Sequence, residues 1–142
     1  MRGLEDCLFV TLFYAILDSK KRTLTYVNAG HNPPILLQRE PSKTVLLKAR
    51  GIALGVVDDA DLESAELELK SGDVLVLYTD GVTEAVNENK EEFGLERVAG
   101  LIRDNRELSA HDMIEKIKDE VTAFGGAQPQ YDDITLMVLK AG

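Results

Sequence analysis

The segment VLVLYTDGVTEA, residues 74–85, starts as a strand that is apolar on both faces and then runs into an Asp-Gly pair, Asp80 and Gly81. Such a run suits a strand in the interior of a sheet. Asp and Gly both favour turns, so a tight turn accounts for the pair by itself. The other strongly apolar segment, YDDITLMVLK at 131–140, carries Asp132 and Asp133 at its start. If the two strands pair antiparallel, these carboxylates meet at one end of the sheet. Carboxylates so placed repel each other, and a shared proton or a divalent cation relieves the repulsion. An all-oxygen donor set suits Mg²⁺ or Mn²⁺. Spacing alone leaves the turn and the metal site both open.

The rest of the chain reads outward from this pair of strands. CLFVTLFYAILD (7–18) and TLTYVNA (23–29) predict a hairpin across the polar DSKKR, and PILLQR (34–39) and TVLLK (44–48) predict two short strands across EPSK. GIALGVVDDADLESA (51–65), with the acidic cluster Asp58, Asp59 and Asp61, reads as a solvated surface connection. AELELK (65–70) alternates as a half-exposed strand does, and SGD then turns the chain into VLVLYT. Past Glu84 the period changes to that of a helix, with Phe93, Leu95, Val98, Leu101 and Ile102 on one face. Ser109 and Asp112 open a second helix that carries Met113, Ile114, Ile117, Val121 and Phe124 and ends near Gly125 and Gly126. Hairpin-connected strands, two amphipathic helices and a returning strand predict an α+β layered domain, not an alternating βαβ one.

Composition narrows the function classes. A length of 142 residues suits one domain, and 44% hydrophobic with 29% charged residues is ordinary for a globular protein. The net charge of −9 argues against nucleic acid or an anionic membrane surface as the main partner. A single cysteine, Cys7, forms no internal disulfide, and with His31 and His111 it supplies too few soft ligands for zinc. These features predict a cytoplasmic protein, and no segment approaches the ~20 apolar residues of a membrane span.

Five motifs, taken together and in order, carry a resemblance: NAGHNPP at 28–34, GIALG at 51–55, YTDGVTEA at 78–85, EEFG at 91–94 and DDITLMV at 132–138. The chain resembles the metal-dependent protein phosphatases of the 2C type, and within them the bacterial sporulation and stress-response branch. The resemblance runs from FVTLFYAILD to the last strand. It implies a layered β-sandwich flanked by helices, with a dinuclear Mg²⁺ or Mn²⁺ centre that hydrolyses phosphoserine or phosphothreonine in a protein. A metal-held water is then the nucleophile, and no side chain forms a covalent phosphoenzyme.

Residue by residue, Asp80 falls on the family's Asp-Gly metal ligand, with Gly81 beside it. Asp132 falls on the aspartate that opens the last motif, and Asp133 is the fallback ligand. A side chain at position 81 would crowd the turn that presents Asp80. His31 and Asn32 have two readings: a histidine that bonds backbone in a tight loop, or an accessory role near the phosphate or leaving group. Glu84 either orients a water at the metal or caps the following turn.

One departure stands out. The family's Gly-Asp-x-Ser-Gly-x-Gly stretch, whose aspartate bridges both metals, occurs nowhere in the sequence. Residues 1–142 are accordingly expected to be a partial phosphatase domain, lacking its N-terminal strands and helix and keeping at most one good metal site of two. The implied partner is a phosphorylated regulatory protein such as an anti-sigma-factor antagonist, and exposed sheet surface would favour a homodimer. The alternative is a degenerate module that binds the regulator without hydrolysing it.

Overall fold

The computed structural model describes residues 8–59, 61–130 and 132–142. Cys7, which opens the first predicted strand, and Tyr131, which opens the last, lie outside the described residues. The elements are β1 (Leu12–Asp18), β2 (Thr23–Ala29), β3 (Ile35–Gln38), β4 (Lys43–Leu46), β5 (Ser64–Glu68), β6 (Val74–Tyr78), α1 (Asp80–Thr83), α2 (Gly94–Asp104), α3 (Ala110–Gly125) and β7 (Leu136–Lys140). The chain divides into two compact units, one of residues up to Pro33 with Leu47–Leu69, the other of Pro34–Leu46 with Lys70–Gly142.

The second unit holds the four-stranded antiparallel sheet β4-β3-β6-β7, with β6 in the interior as its apolar sequence predicts. Ile35, Leu37, Val74, Val76 and Tyr78 turn one face of this sheet to Val98, Ile102, Met113, Ile117 and Val121 of the two long helices. The helical spacing seen in the sequence is thus the period of the buried stripe. The start of α3 is fixed as Ser109 and Asp112 predict: the Ser109 hydroxyl accepts the Asp112 N–H at 3.0 Å. Phe93 meets Phe124 edge to face, with ring centroids 5.2 Å apart, and ties the start of α2 to the end of α3. Asp73, the last residue of the SGD turn, is buried, and its carboxylate accepts the backbone N–H groups of Arg39 and Lys70, each at 2.9 Å.

The first unit is the three-stranded antiparallel sheet β1-β2-β5. Phe13 of β1 stacks on Tyr26 of β2 at 5.4 Å, and burial pushes the Tyr26 phenol pKa up. On the other face of β1 Tyr14 is 55% and Ile16 57% exposed, so the open apolar sheet surface expected from the sequence is present. The connection at 51–65 is mostly exposed, but Leu54 is pinned to Val10 by two backbone hydrogen bonds of 2.9 and 2.8 Å.

Three details depart from the sequence reading. The strands do not continue as a meander: β5 returns to β2 and β6 to β3, pairings that no short turn dictates. Residues 132–135 precede β7, because their neighbour Thr79 engages them through its side chain as well as its backbone. The segment after Tyr78 is one helical turn, α1, closed by the Glu84 N–H on the Asp80 carbonyl at 2.7 Å. Among the described residues no helix is long and apolar enough to cross a membrane.

Candidate functional site

The antiparallel pairing posited for the two apolar strands is the one the structure has. The register runs from Val74↔Lys140 to Tyr78↔Leu136, which carries Asp80 towards Asp132 and Asp133 at one end of the sheet. Past the last strand pair, the Thr79 N–H donates to the Thr135 carbonyl at 3.1 Å. The Thr79 hydroxyl donates to the Asp133 carbonyl at 3.0 Å and accepts the Thr135 N–H at 3.0 Å. A threonine hydroxyl can do both at once, and here it fastens the two aspartate-bearing segments together.

Their closeness makes glycine obligatory at position 81. A Cβ on Gly81 would lie 2.4 Å from the Asp133 carbonyl oxygen and 3.1 Å from that of Asp132. Only glycine lets the two backbones approach this closely. The sequence reading attributed this glycine to crowding within its own turn. The atoms that exclude a side chain belong to the facing segment instead.

Asp80 is partly exposed and opens α1, while Glu84, Asp132 and Asp133 are exposed. The Asp132 carboxylate accepts the Asp133 N–H at 2.7 Å, and the Asp132 carbonyl accepts the Gln130 amide at 2.7 Å. Among the described residues no donor is recorded on the carboxylates of Asp80, Asp133 or Glu84, so their lone pairs are not spent on the fold. Such an oxygen-only set fits a hard divalent cation. It does not fill a coordination shell: among the described residues no group of three or more His, Cys, Asp or Glu converges on a common point. Glu84 closes α1 through its backbone, which leaves its side chain to line a cavity of about 150 Å³ together with Gly81 and Asp132. Beside the site, burial raises the pKa of the Tyr78 phenol, which stays protonated at neutral pH.

His31 and Asn32 lie in the loop that follows β2, in the first unit. Of the two readings of His31, the one in which its ring bonds backbone is not the arrangement found among the described residues. Asn28 brackets the His31 backbone instead, accepting its N–H at 2.7 Å and donating to its carbonyl at 2.9 Å. The His31 ring is thereby left to pair its Nδ1 with the Thr11 hydroxyl at 3.1 Å. Asn28 is buried, so both ends of its amide need partners, and the loop supplies them. Asn28 and Thr79 are the two positioning residues that sequence reasoning missed. For Asn28 a signal was present, an asparagine at the end of a predicted strand, two residues before the glycine that opens the loop.

The family model described as Stage II sporulation protein E (SpoIIE) matches residues 1–142. The chain is 34% identical over 141 residues to the phosphoserine phosphatase RsbU of Bacillus subtilis, an alignment that covers 98% of this chain and 41% of RsbU. It is 33% identical over 135 residues to protein IcfG of Synechocystis, covering 95% of this chain and 21% of IcfG. Among solved structures, the SiaA-PP2C domain of Pseudomonas aeruginosa superposes with a TM-score of 0.81 at 23% identity, over 93% of this chain and 52% of that one. This last likeness shows that the fold is of the PP2C type. The chain thus spans about half the length of the SiaA domain and less than half that of RsbU.

Proposed function

The chain belongs to the stage II sporulation protein E family, and on that premise we propose that it contributes part of the active site of a metal-dependent protein serine/threonine phosphatase. The observation that carries the proposal is the antiparallel β6–β7 register, with Gly81 seated against the backbone of Asp132 and Asp133. In this reading Asp80 and Asp132 hold one Mn²⁺ or Mg²⁺, Asp133 serves as the fallback ligand, and the Gly81 backbone lies beside them. The bound cation supplies charge neutralisation for the phosphoryl oxygens and acidifies water. The protein's own part is to leave the Asp80 carboxylate without a donor among the described residues, while Asp132 accepts the Asp133 N–H, and to fix the approach of the two segments through Thr79 and Gly81. Glu84 stands next to them as a group able to orient water. The reading assigns no step to His31 or Asn32.

The substrate class is a phosphorylated regulatory protein of the cytosol, such as an anti-sigma-factor antagonist. RsbU, the phosphoserine phosphatase of similar sequence, supports this choice. A second copy of the chain would add along β1, where Tyr14 and Ile16 are exposed, and mass in solution would fall to that of a monomer on Ile16→Lys if that row is the contact.

A second reading, a module that binds the regulator without hydrolysing it, is favoured by the lack of a three-ligand metal group among the described residues. Release of phosphate from a phosphoserine protein with Mn²⁺, measured on the natural full-length protein and on this chain, separates the two. Hydrolysis by the full-length protein that vanishes on Asp80→Asn is the expected result. Binding of the phosphoprotein without turnover would establish the module instead.

A further inference from the structure

The cavity beside Asp132 is built from the last turn of α3, the segment that follows α1 and the loop leading to β7. Its volume of about 150 Å³ is that of a cavity that admits a benzene-sized group, so it accommodates one side chain. Ala85, Val86, Val121 and Ile134 give it an apolar wall, and Glu84 and Asp132 give it a carboxylate rim. Among the described residues, no lysine, arginine or histidine lines it.

The helix that ends at this cavity is also uncompensated. The carbonyl end of an α-helix carries partial negative charge and commonly attracts a cation. The last turn of α2 contains Arg103, whereas the last turn of α3 contains no basic residue. Arg97 sits over the Phe124 ring at 4.7 Å, but its Nη1 is donated to the carbonyls of Glu92 and Phe93, and it does not line the cavity. With Asp132 committed to the metal, Glu84 and the end of α3 still leave the rim negative.

An apolar wall below a negative rim matches a side chain with an aliphatic stem and a cationic head. We infer that this cavity receives a lysine or arginine side chain of the phosphoprotein, close in sequence to the phosphorylated residue. The inference rests on the proposed phosphatase reading for the position of the phosphate. It goes beyond that reading by naming a feature of the substrate that the metal centre does not select. The stem lies along Val86 and Val121, and the head meets Glu84 at the rim.

Gly125 offers a clean way to close the cavity. A Cβ there meets only the Val86 carbonyl oxygen, at 3.8 Å, and its backbone is helical, so Gly125→Leu fills space on the cavity side without backbone strain. Thr122 is exposed at the rim, and Thr122→Lys places a competing cation there. The experiment measures binding and needs no turnover. Fluorescent phosphoserine peptides carrying a single lysine at each of the flanking positions in turn, or norleucine in its place, are titrated into this chain, its two variants and Glu84→Gln, with circular dichroism confirming that each is folded.

The expected result is one lysine position that tightens binding about five- to tenfold over norleucine, the size of an ion pair combined with a helix-end interaction. That advantage should disappear in Gly125→Leu and in Thr122→Lys and shrink in Glu84→Gln. No lysine-dependent position, no binding of any peptide, or an advantage that survives in both Gly125→Leu and Thr122→Lys overturns the inference. If the full-length protein fails to hydrolyse phosphoserine while the lysine advantage stands, the phosphatase reading falls and the pocket remains. Hydrolysis without lysine dependence is the reverse outcome.

Discussion

The two ends of β6 mirror each other in sequence, Gly72-Asp73 before the strand and Asp80-Gly81 after it, yet their aspartates have opposite fates. Asp73 is 1% exposed, and each of its carboxylate oxygens accepts a backbone N–H. Asp80 is partly exposed, and among the described residues no donor is recorded on its carboxylate. A buried carboxylate persists only when hydrogen bonds replace its hydration, so Asp73 belongs to the fold. A carboxylate left without donors at the meeting of two strands contributes nothing of that kind. Its placement beside Asp132 and Asp133 is what a cation would use.

Exchanging the two residues in turn breaks the comparison most sharply. Asp80→Asn in the natural full-length protein should lower the rate of phosphoserine hydrolysis about a thousandfold, roughly 4 kcal/mol of lost transition-state stabilisation. Its urea midpoint should stay within about 0.5 kcal/mol of wild type. In the 142-residue chain Mn²⁺ binding should be weak and should be lost on the same change, which calorimetric titration reads directly. Unchanged Mn²⁺ binding in Asp80→Asn would put the metal elsewhere.

At the other end of the strand, Asp73→Ala strands the N–H groups of Arg39 and Lys70 and should cost about 3 kcal/mol of stability in urea unfolding. The folded fraction should bind Mn²⁺ as before. A smaller loss, under about 1 kcal/mol, would mean that water reaches those donors and that the contrast between the two ends is only one of degree.

Gly81→Ala sharpens the comparison from the backbone side. The added methyl must displace the Asp133 carbonyl, and overpacking of this kind costs about 2 kcal/mol. Unlike Asp73→Ala, it should weaken Mn²⁺ binding as well as stability, because the atoms displaced belong to the segment that carries Asp132, the proposed ligand, and Asp133, its fallback. Loss of stability with no change in metal affinity would separate Gly81 from the site.

The sequence made much of this architecture readable where the signal is periodic or local. The stripe from Val98 to Ile102, the Ser109 cap and the interior character of VLVLY each follow from side chains within a few residues of one another. The pairing of β5 with β2 was not readable, since strands that alternate in the ordinary way name no partner. Nor was α1, whose four residues are too few for a helical period. The meeting of Asp80 with the last motif was readable because the two most apolar strands pair with each other, although only β6 is interior: β7 is the edge of its four-stranded sheet, with Met137 60% exposed, and not the buried strand its composition suggests. The distinction between Asp73 and Asp80 was not, because one of the two donors to Asp73 is the Arg39 N–H, 34 residues away beyond the end of β3, and only the other, from Lys70, is local.

Thr79 is the finest test of how the site end of β6 is held. Its hydroxyl bridges the Asp133 carbonyl and the Thr135 N–H, so Thr79→Val keeps the shape and the β-branched backbone preference but removes both bonds. Both orphaned groups sit among exposed residues, where water can replace the lost partner, and the cost to stability should be about 1 kcal/mol or less. The backbone bond from Thr79 N–H to Thr135 remains, so the strands stay in register. What changes is the freedom of residues 132–134 relative to α1, and an ion held from both segments then loses preorganisation. Mn²⁺ affinity should fall about three- to fivefold in Thr79→Val, the equivalent of about 1 kcal/mol, and recover in Thr79→Ser. An affinity equal to wild type in Thr79→Val would show that Gly81 and the strand ladder position the aspartates without help from the hydroxyl.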